Sequence, residues 1–210
     1  MELAIYNISG KETGKKAKLN AEIFSVEPND HAIYLDVKQF LANGRQGTHK
    51  TKERNEVHGS TRKLHKQKGT GGSRKGSIKN PLYRGGGRIF GPEPRDYSFK
   101  LNKKLKKLAR KSALTYKAQE GNITIIDSIS FNAPKTKDFL AFLKSFDSTN
   151  KKILLVIPEN NTNVFLSSRN LANSNVITAS ELNTYEVLDA EKLFIVADSL
   201  GTIENVLNNN

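Results

Sequence analysis

The chain contains no cysteine, which excludes disulfides and thiolate chemistry and leaves zinc without its usual sulfur ligands. It also lacks a long apolar run. No stretch approaches the roughly 20 residues needed to span a bilayer. The N-terminal MELAIYNISGKETGKK carries Glu2, no basic leader and too short an apolar run for a signal peptide. A soluble, cytosolic chain is expected. Negative charge is scarce where positive charge is dense. Overall, 34 Lys and Arg face 21 Asp and Glu, a net charge of +13 on 210 residues. Residues 44–111 hold 21 of those cations and only four acids, Glu53, Glu56, Glu93 and Asp96. That segment is +17, and the remaining 13 cations and 17 acids leave the rest of the chain at −4. A mildly acidic globule bearing a strongly basic insertion needs a polyanionic partner.

Apolar periodicity is missing from residues 44–100, where 11 of the 15 glycines fall. Loops beyond about 12–15 residues without secondary structure are uncommon in compact domains. This one is several times longer, and its scattered Leu64, Ile78, Leu82, Tyr83, Ile89 and Phe90 cannot offset its chain entropy alone. It is expected to be mobile when free and ordered by a partner. The chain therefore divides into a globular α/β domain, 1–43 with 101–210, and an extended Gly/Arg/Lys-rich loop, 44–100.

Around that loop the pattern is regular. Residues 1–26 read as two short strands, Leu3–Tyr6 and Ala21–Phe24, flanking a basic turn at Gly10–Lys18. Asn29 or Asp30 caps a helix whose Ile33, Val37, Phe40 and Leu41 form one apolar face, ending at Asn43-Gly44. After the loop, Leu101, Leu105, Leu108, Ala109, Ala113 and Tyr116 make a core stripe, with Lys103, Lys104, Lys106, Lys107, Arg110 and Lys111 on the other faces. Four apolar runs follow: Ile123–Ile126, Ile153–Ile157, Val176–Thr178 and Leu193–Ala197. Helical patterns separate them, around Phe139–Phe146, Val164–Leu171 and Leu182–Leu188, and Ile203–Leu207 close the chain after an Asp198 or Ser199 cap. Alternating strand and helix imply an α/β fold with a mostly parallel sheet, helices packed on it and the loop inserted after the first helix.

The stretch HKQKGTGGSRKG, residues 65–76, has the ingredients of a phosphate cradle but not its spacing. Gly71 and Gly76 have the required four residues between them, but Ser77 stands where a Walker loop needs lysine; Gly86 and Gly91 are followed by Pro92. The dinucleotide fingerprint fails at Arg74 and Phe90, and neither cluster follows a strand. His49, His58 and His65 have too few carboxylates around them to complete a metal site. No catalytic residue, metal or cofactor is expected, and the chain reads as a non-enzyme. A membrane partner is disfavoured, because the loop has no amphipathic apolar face.

Nucleic acid accounts for the remainder. Arg45, Lys50, Lys52, Arg54, Lys68, Arg74, Lys75, Lys79, Arg84, Arg88 and Arg95, spaced along an extended chain, can each meet a backbone phosphate, with Gln46 beside the first of them. Lys103, Lys104 and Lys107 add phosphate contacts from the following helix. Tyr83 and Phe90 are candidates to stack on unpaired bases, whereas Tyr97 and Phe99 are as well placed to anchor the loop's return.

An ordered set of motifs then becomes familiar: Gly44-Arg45-Gln46-Gly47-Thr48, Gln67-Lys68-Gly69-Thr70-Gly71, Gly76-Ser77-Ile78-Lys79-Asn80-Pro81, Gly86-Gly87, Asn102-Lys103-Lys104 and Ala133-Pro134-Lys135-Thr136-Lys137. Across essentially the whole chain, it closely resembles the L-four family of bacterial large-subunit ribosomal proteins. The resemblance implies a globule on the solvent side of the subunit and a loop that penetrates large-subunit (23S) ribosomal RNA, supporting subunit assembly. The tip, Arg62, Lys63, Leu64, His65, Lys66 and Gln67, would line the nascent-peptide exit tunnel. There it would meet the nascent peptide beside neighbouring ribosomal proteins at the constriction, the chain being a monomer within a cytoplasmic ribosome. Many members have Pro-Trp-Arg where this chain has Leu64-His65-Lys66, and Gly72 stands where arginine is common. Some members also repress their own operon, an alternative additional role.

Overall fold

The computed structural model describes residues 1–208. The chain divides into two compact units, Met1–Phe40 with Lys100–Asn210, and Leu41–Phe99.

The first unit is built on a six-stranded sheet. Its strands are β1 (Glu2–Tyr6), β2 (Glu12–Lys18), β3 (Ile123–Ile126), β4 (Ile153–Ile157), β5 (Ser174–Thr178) and β6 (Lys192–Val196), in the order β2-β1-β3-β6-β4-β5. Only β1 and β2 pair antiparallel; every other pairing is parallel. The helices are α1 (Ala21–Phe24), α2 (Asp30–Asn43), α3 (Lys103–Gln119), α4 (Thr136–Ser145), α5 (Thr162–Ser168), α6 (Thr184–Asp189) and α7 (Ser199–Asn208). This is the expected α/β fold with a mostly parallel sheet.

The central strands are buried on both faces, so their side chains alternate between two cores. Ile123, Ile125, Leu154, Val156, Leu193 and Ile195 point to one, with Ile23, Leu114, Val187 and Ile203 from α1, α3, α6 and α7. Ile126, Leu155, Ile157, Phe194 and Val196 point to the other, with Phe139, Phe142 and Leu143 of α4 and Val164 of α5. On that second side Phe142 packs edge-to-face on Phe139, Phe146 and Phe194, with ring centroids 5.7, 5.3 and 5.4 Å apart.

Three local expectations are corrected. The basic stretch before Lys18 is not a turn but edge strand β2, exposed except at Ala17, and its Lys15, Lys16 and Lys18 discourage pairing with another chain. Gly14, at φ +73°, lies opposite the register shift between Ala4 and Tyr6. Ala21–Phe24 is one helical turn rather than a strand: the Asn20 side chain accepts from the Glu22 N–H at 3.0 Å, and the turn buries Ile23 and Phe24. The loop accordingly follows the second helix, not the first. Finally, α2 buries its polar side. Ala32, Asp36 and Gln39 are buried, while Phe40 and Leu41 are exposed and Ile33 and Val37 only half-buried. Small Ala32 permits close approach, and the Asp36 carboxylate accepts from the buried Thr184 hydroxyl at the start of α6. Phe40 instead stacks on Tyr185, 5.0 Å between centroids.

Candidate nucleic-acid interface

The second unit contains neither helix nor strand apart from the last turn of α2, and none of its residues belongs to either apolar core. Its order comes from backbone hydrogen bonds between an outgoing and a returning limb. Arg95 N–H donates to the Gly47 carbonyl (3.2 Å), Thr51 to Pro92 (3.1 Å), Arg88 to Lys52 (3.0 Å) and Leu64 to Gly76 (3.1 Å). The Ser77 hydroxyl adds a bond to the Ser60 carbonyl at 2.9 Å. These bonds step inward from both ends, so the two limbs run antiparallel and close near residue 70.

Glycine is what lets the limbs come this near. A Cβ on Gly87 would lie 2.4 Å from the Arg54 nitrogen, and one on Gly91 only 1.7 Å from the Thr51 hydroxyl oxygen. At Gly47 it would meet the Arg95 carbonyl oxygen at 2.0 Å and the Tyr97 ring at 3.1 Å, with a left-handed φ of +65° besides.

Sequence reasoning missed this cross-limb pairing. The glycines were its only signal, and their spacing names no partner.

The cations sit on the outside of this frame. Arg45, Gln46, Lys50, Lys52, Arg54, Arg62, Lys63, Lys66, Lys68, Arg74, Lys75, Arg84, Arg88 and Arg95 are exposed, and Lys79 is half-buried. Fourteen Lys and Arg face four acids in residues 41–99. Among the described residues of this unit, the single ion pair is Lys50–Glu56. Lys50 pulls the Glu56 carboxyl below its ordinary range, and Glu56 in turn raises the Lys50 ammonium. None of the unit's other cations has a carboxylate within ion-pair distance among the described residues.

The apolar residues divide in two. Phe90 is 100 % exposed and Leu82 90 % exposed, whereas Tyr83 is half-buried with the Lys75 ammonium 6.0 Å from its ring. A fully exposed phenylalanine costs solubility and suits a base or an apolar wedge site.

Of the six residues assigned to the tip, Arg62, Lys63 and Leu64 lie on the outgoing limb up to its last backbone bond, and His65, Lys66 and Gln67 lie beyond it. Lys63 donates to the Gln67 side chain, and His65 Nε2 donates to the Ser73 carbonyl at 2.8 Å, bridging the two limbs. His65 is therefore half-buried, while its five neighbours are exposed.

Lys103, Lys104 and Lys107 belong to the first unit. They occupy the first turns of α3, the first two exposed and Lys107 half-buried. Further along the helix, Ala109 and Ala113 enter the core; Leu105 and Leu108 are half-buried, as is Tyr116, whose hydroxyl donates to Asp30 at 2.6 Å. Among the described residues, no cluster of His, Asp or Glu could hold a metal ion, and no helix is long and apolar enough to cross a membrane.

The model of the ribosomal protein L4/L1 family matches residues 17–206. The chain belongs to that family. Curated relatives named large ribosomal subunit protein uL4 agree over the full length. The protein of Phocaeicola vulgatus is 60 % identical over 99 % of this chain and 100 % of its own. That of Christiangramia forsetii is 58 % identical with the same coverage, and that of Amoebophilus asiaticus 56 % identical over 100 % of both. The L4/L1 family comprises structural ribosomal proteins, not enzymes, and its match spans both the α/β unit and the basic segment.

Proposed function

We propose that this chain is a structural constituent of the large ribosomal subunit in the cytoplasm, a monomer that binds large-subunit rRNA through residues 44–107. The observation that carries the reading is the contrast between its two units. One has two apolar cores; the other has none, exposes nearly all its cations and leaves them unpaired. Such a segment gains order by neutralising phosphates, with Arg making bidentate contacts and Lys acting as a point charge. Phe90 and Tyr83 serve as stacking groups. The far end of the segment, Arg62 to Gln67 and the turn beyond, lines the nascent-peptide tunnel beside neighbouring ribosomal proteins. The names of its relatives support a place in the large subunit, and the absence of an apolar core supports a segment ordered by RNA.

The test is binding of the full chain to large-subunit rRNA fragments across a KCl series. A steep slope is expected, about 0.7–0.9 in log K per log[salt] for each phosphate neutralised. Deleting residues 48–95 abolishes most of it while the α/β unit still melts cooperatively. Equal affinity of the deleted form would refute the reading. Crosslinking from Lys66 in intact ribosomes, scored for RNA against nascent peptide, tests the tunnel placement. Protection of the chain's own messenger leader at ribosome-like affinity would add a regulatory role.

A further inference from the structure

The ends of the basic segment converge on one aromatic ring. The Arg45 guanidinium carbon lies 3.7 Å from the Tyr97 ring centroid, and that of Arg95 lies 4.6 Å from it. His49 Nε2 is 2.6 Å from the Tyr97 hydroxyl, with the two rings edge-to-face at 5.8 Å. These side chains line an open cavity of about 700 Å³, together with Glu93. Two like charges held on one ring repel each other, and the ring's negative face offsets only part of that repulsion. Among the described residues no carboxylate lies within ion-pair distance of either guanidinium, Glu93 included.

The backbone is shaped to keep the ring in place. Gly47 takes a left-handed φ of +65°, and a Cβ there would meet the Tyr97 ring at 3.1 Å and the Arg95 carbonyl oxygen at 2.0 Å. The Arg95 N–H closes the same contact by donating to the Gly47 carbonyl. The Tyr97 hydroxyl is held below its ordinary pKa, first by its hydrogen bond with Arg95 and then by the charges of Arg95 and Arg45. An excess of positive potential therefore surrounds the hydroxyl end of the ring.

We propose that Arg45 and Arg95 form a single phosphate clamp at the neck of the segment, with Tyr97 as the platform that fixes both guanidiniums and an RNA backbone phosphodiester as the ligand. The proposal rests on the RNA-binding reading above and adds to it a specific site with a positioning residue that carries no charge of its own. A guanidinium carries five N–H donors, so Arg45 and Arg95, each held over the ring, retain donors for the oxygens of one phosphate even with one Arg95 donor on the Tyr97 hydroxyl. The unit's surplus of ten cations argues for a phosphate that arrives as part of a polyanion. Glu93 on the cavity wall disfavours a small, doubly charged free anion.

The test uses the full chain, a large-subunit rRNA fragment and a KCl series. Tyr97→Leu leaves every charge in place and removes the platform; Tyr97→Phe keeps the platform and removes the hydroxyl's bonds to His49 and Arg95. Arg45→Gln with Arg95→Gln removes the clamp itself. Expected are wild-type behaviour within about twofold for Tyr97→Phe, and an affinity loss of about tenfold for both Tyr97→Leu and the double arginine variant. The latter two also lose about 0.7–0.9 from the salt slope, one phosphate's worth. Wild-type affinity and slope in Tyr97→Leu would overturn the clamp, because the arginines would then act as independent charges. Unchanged melting of the α/β unit shows that Tyr97→Leu remains folded. Inorganic phosphate titrated onto the free chain, followed by the Tyr97 ring signals, separates the two sources of the ligand. Saturable binding combined with unaltered RNA affinity in Tyr97→Leu would assign the pocket to free anion and overturn the proposal. If deleting residues 48–95 leaves RNA binding intact, the parent reading fails; if deletion abolishes binding and Tyr97→Leu is silent, only the clamp fails.

Discussion

Replacing Gly47 with alanine tests whether the basic segment reaches RNA with its ends already closed. Two costs add. Alanine at φ +65° carries the left-handed penalty of about 1–2 kcal/mol. Its Cβ would stand 2.0 Å from the Arg95 carbonyl oxygen, a backbone atom that no rotamer change can move. Relief requires the limbs to separate, which breaks the Arg95–Gly47 hydrogen bond at a net cost of about 1 kcal/mol. The closed neck is then disfavoured by about 2–3 kcal/mol, equivalent to roughly 30- to 150-fold in affinity for an RNA that needs it closed.

Gly85→Ala is the matched control. Its φ is +80° and a Cβ there meets nothing within 4 Å, so only the first cost applies. Filter binding to a large-subunit rRNA fragment at fixed KCl measures both variants, and thermal melting followed by circular dichroism monitors the α/β unit. The expected result is unchanged melting, with Gly47→Ala binding at least about fivefold more weakly than Gly85→Ala. Equal affinities for the two would mean that RNA opens the neck, and the closure argument would be wrong.

Three predictions concern the α/β unit. Phe142→Ala removes the centre of the ring cluster formed with Phe139, Phe146 and Phe194, and should cost about 3–5 kcal/mol in chemical unfolding. Asn161→Ala deletes the α5 cap, whose oxygen accepts from Asn163 and Val164 at 3.1 and 3.3 Å, for a loss of about 1 kcal/mol. The Glu186 carboxyl is raised chiefly by burial, and its Oε2 has no hydrogen-bond partner among the described residues. A raised acid is destabilising once ionised, so its cost is absent at low pH and grows as pH climbs through the unfolded value towards the folded one. Glu186→Gln should therefore match wild type in acid and exceed it in stability at neutral pH; a pH series of urea melts checks the crossover.

Fold class was legible because β3, β4, β5 and β6 are short apolar runs, and burial on both faces leaves that signature in the chain itself. The misreadings have a common cause. Ala21–Phe24 is too short for periodicity to separate a helical turn from a strand, and the cap on Asn20 settled the matter. Strand β2 carries almost no apolar residues because it is an exposed edge. In α2 the apolar stripe and the buried face differ, since the Asp36–Thr184 bond depends on a residue 148 positions away.

The basic segment divides along the same line. Its charge, its glycines and its want of apolar pattern are properties of composition, and they direct it to a polyanion whatever its conformation. Which glycine faces which backbone atom, and that Arg45, His49, Arg95 and Tyr97 meet, is set by contacts between residues about 30 to 50 positions apart in the chain. Local propensity acts over a few residues and carries no information at that range. Chemistry was therefore written along the chain, whereas the choice of which groups act together belongs to the fold.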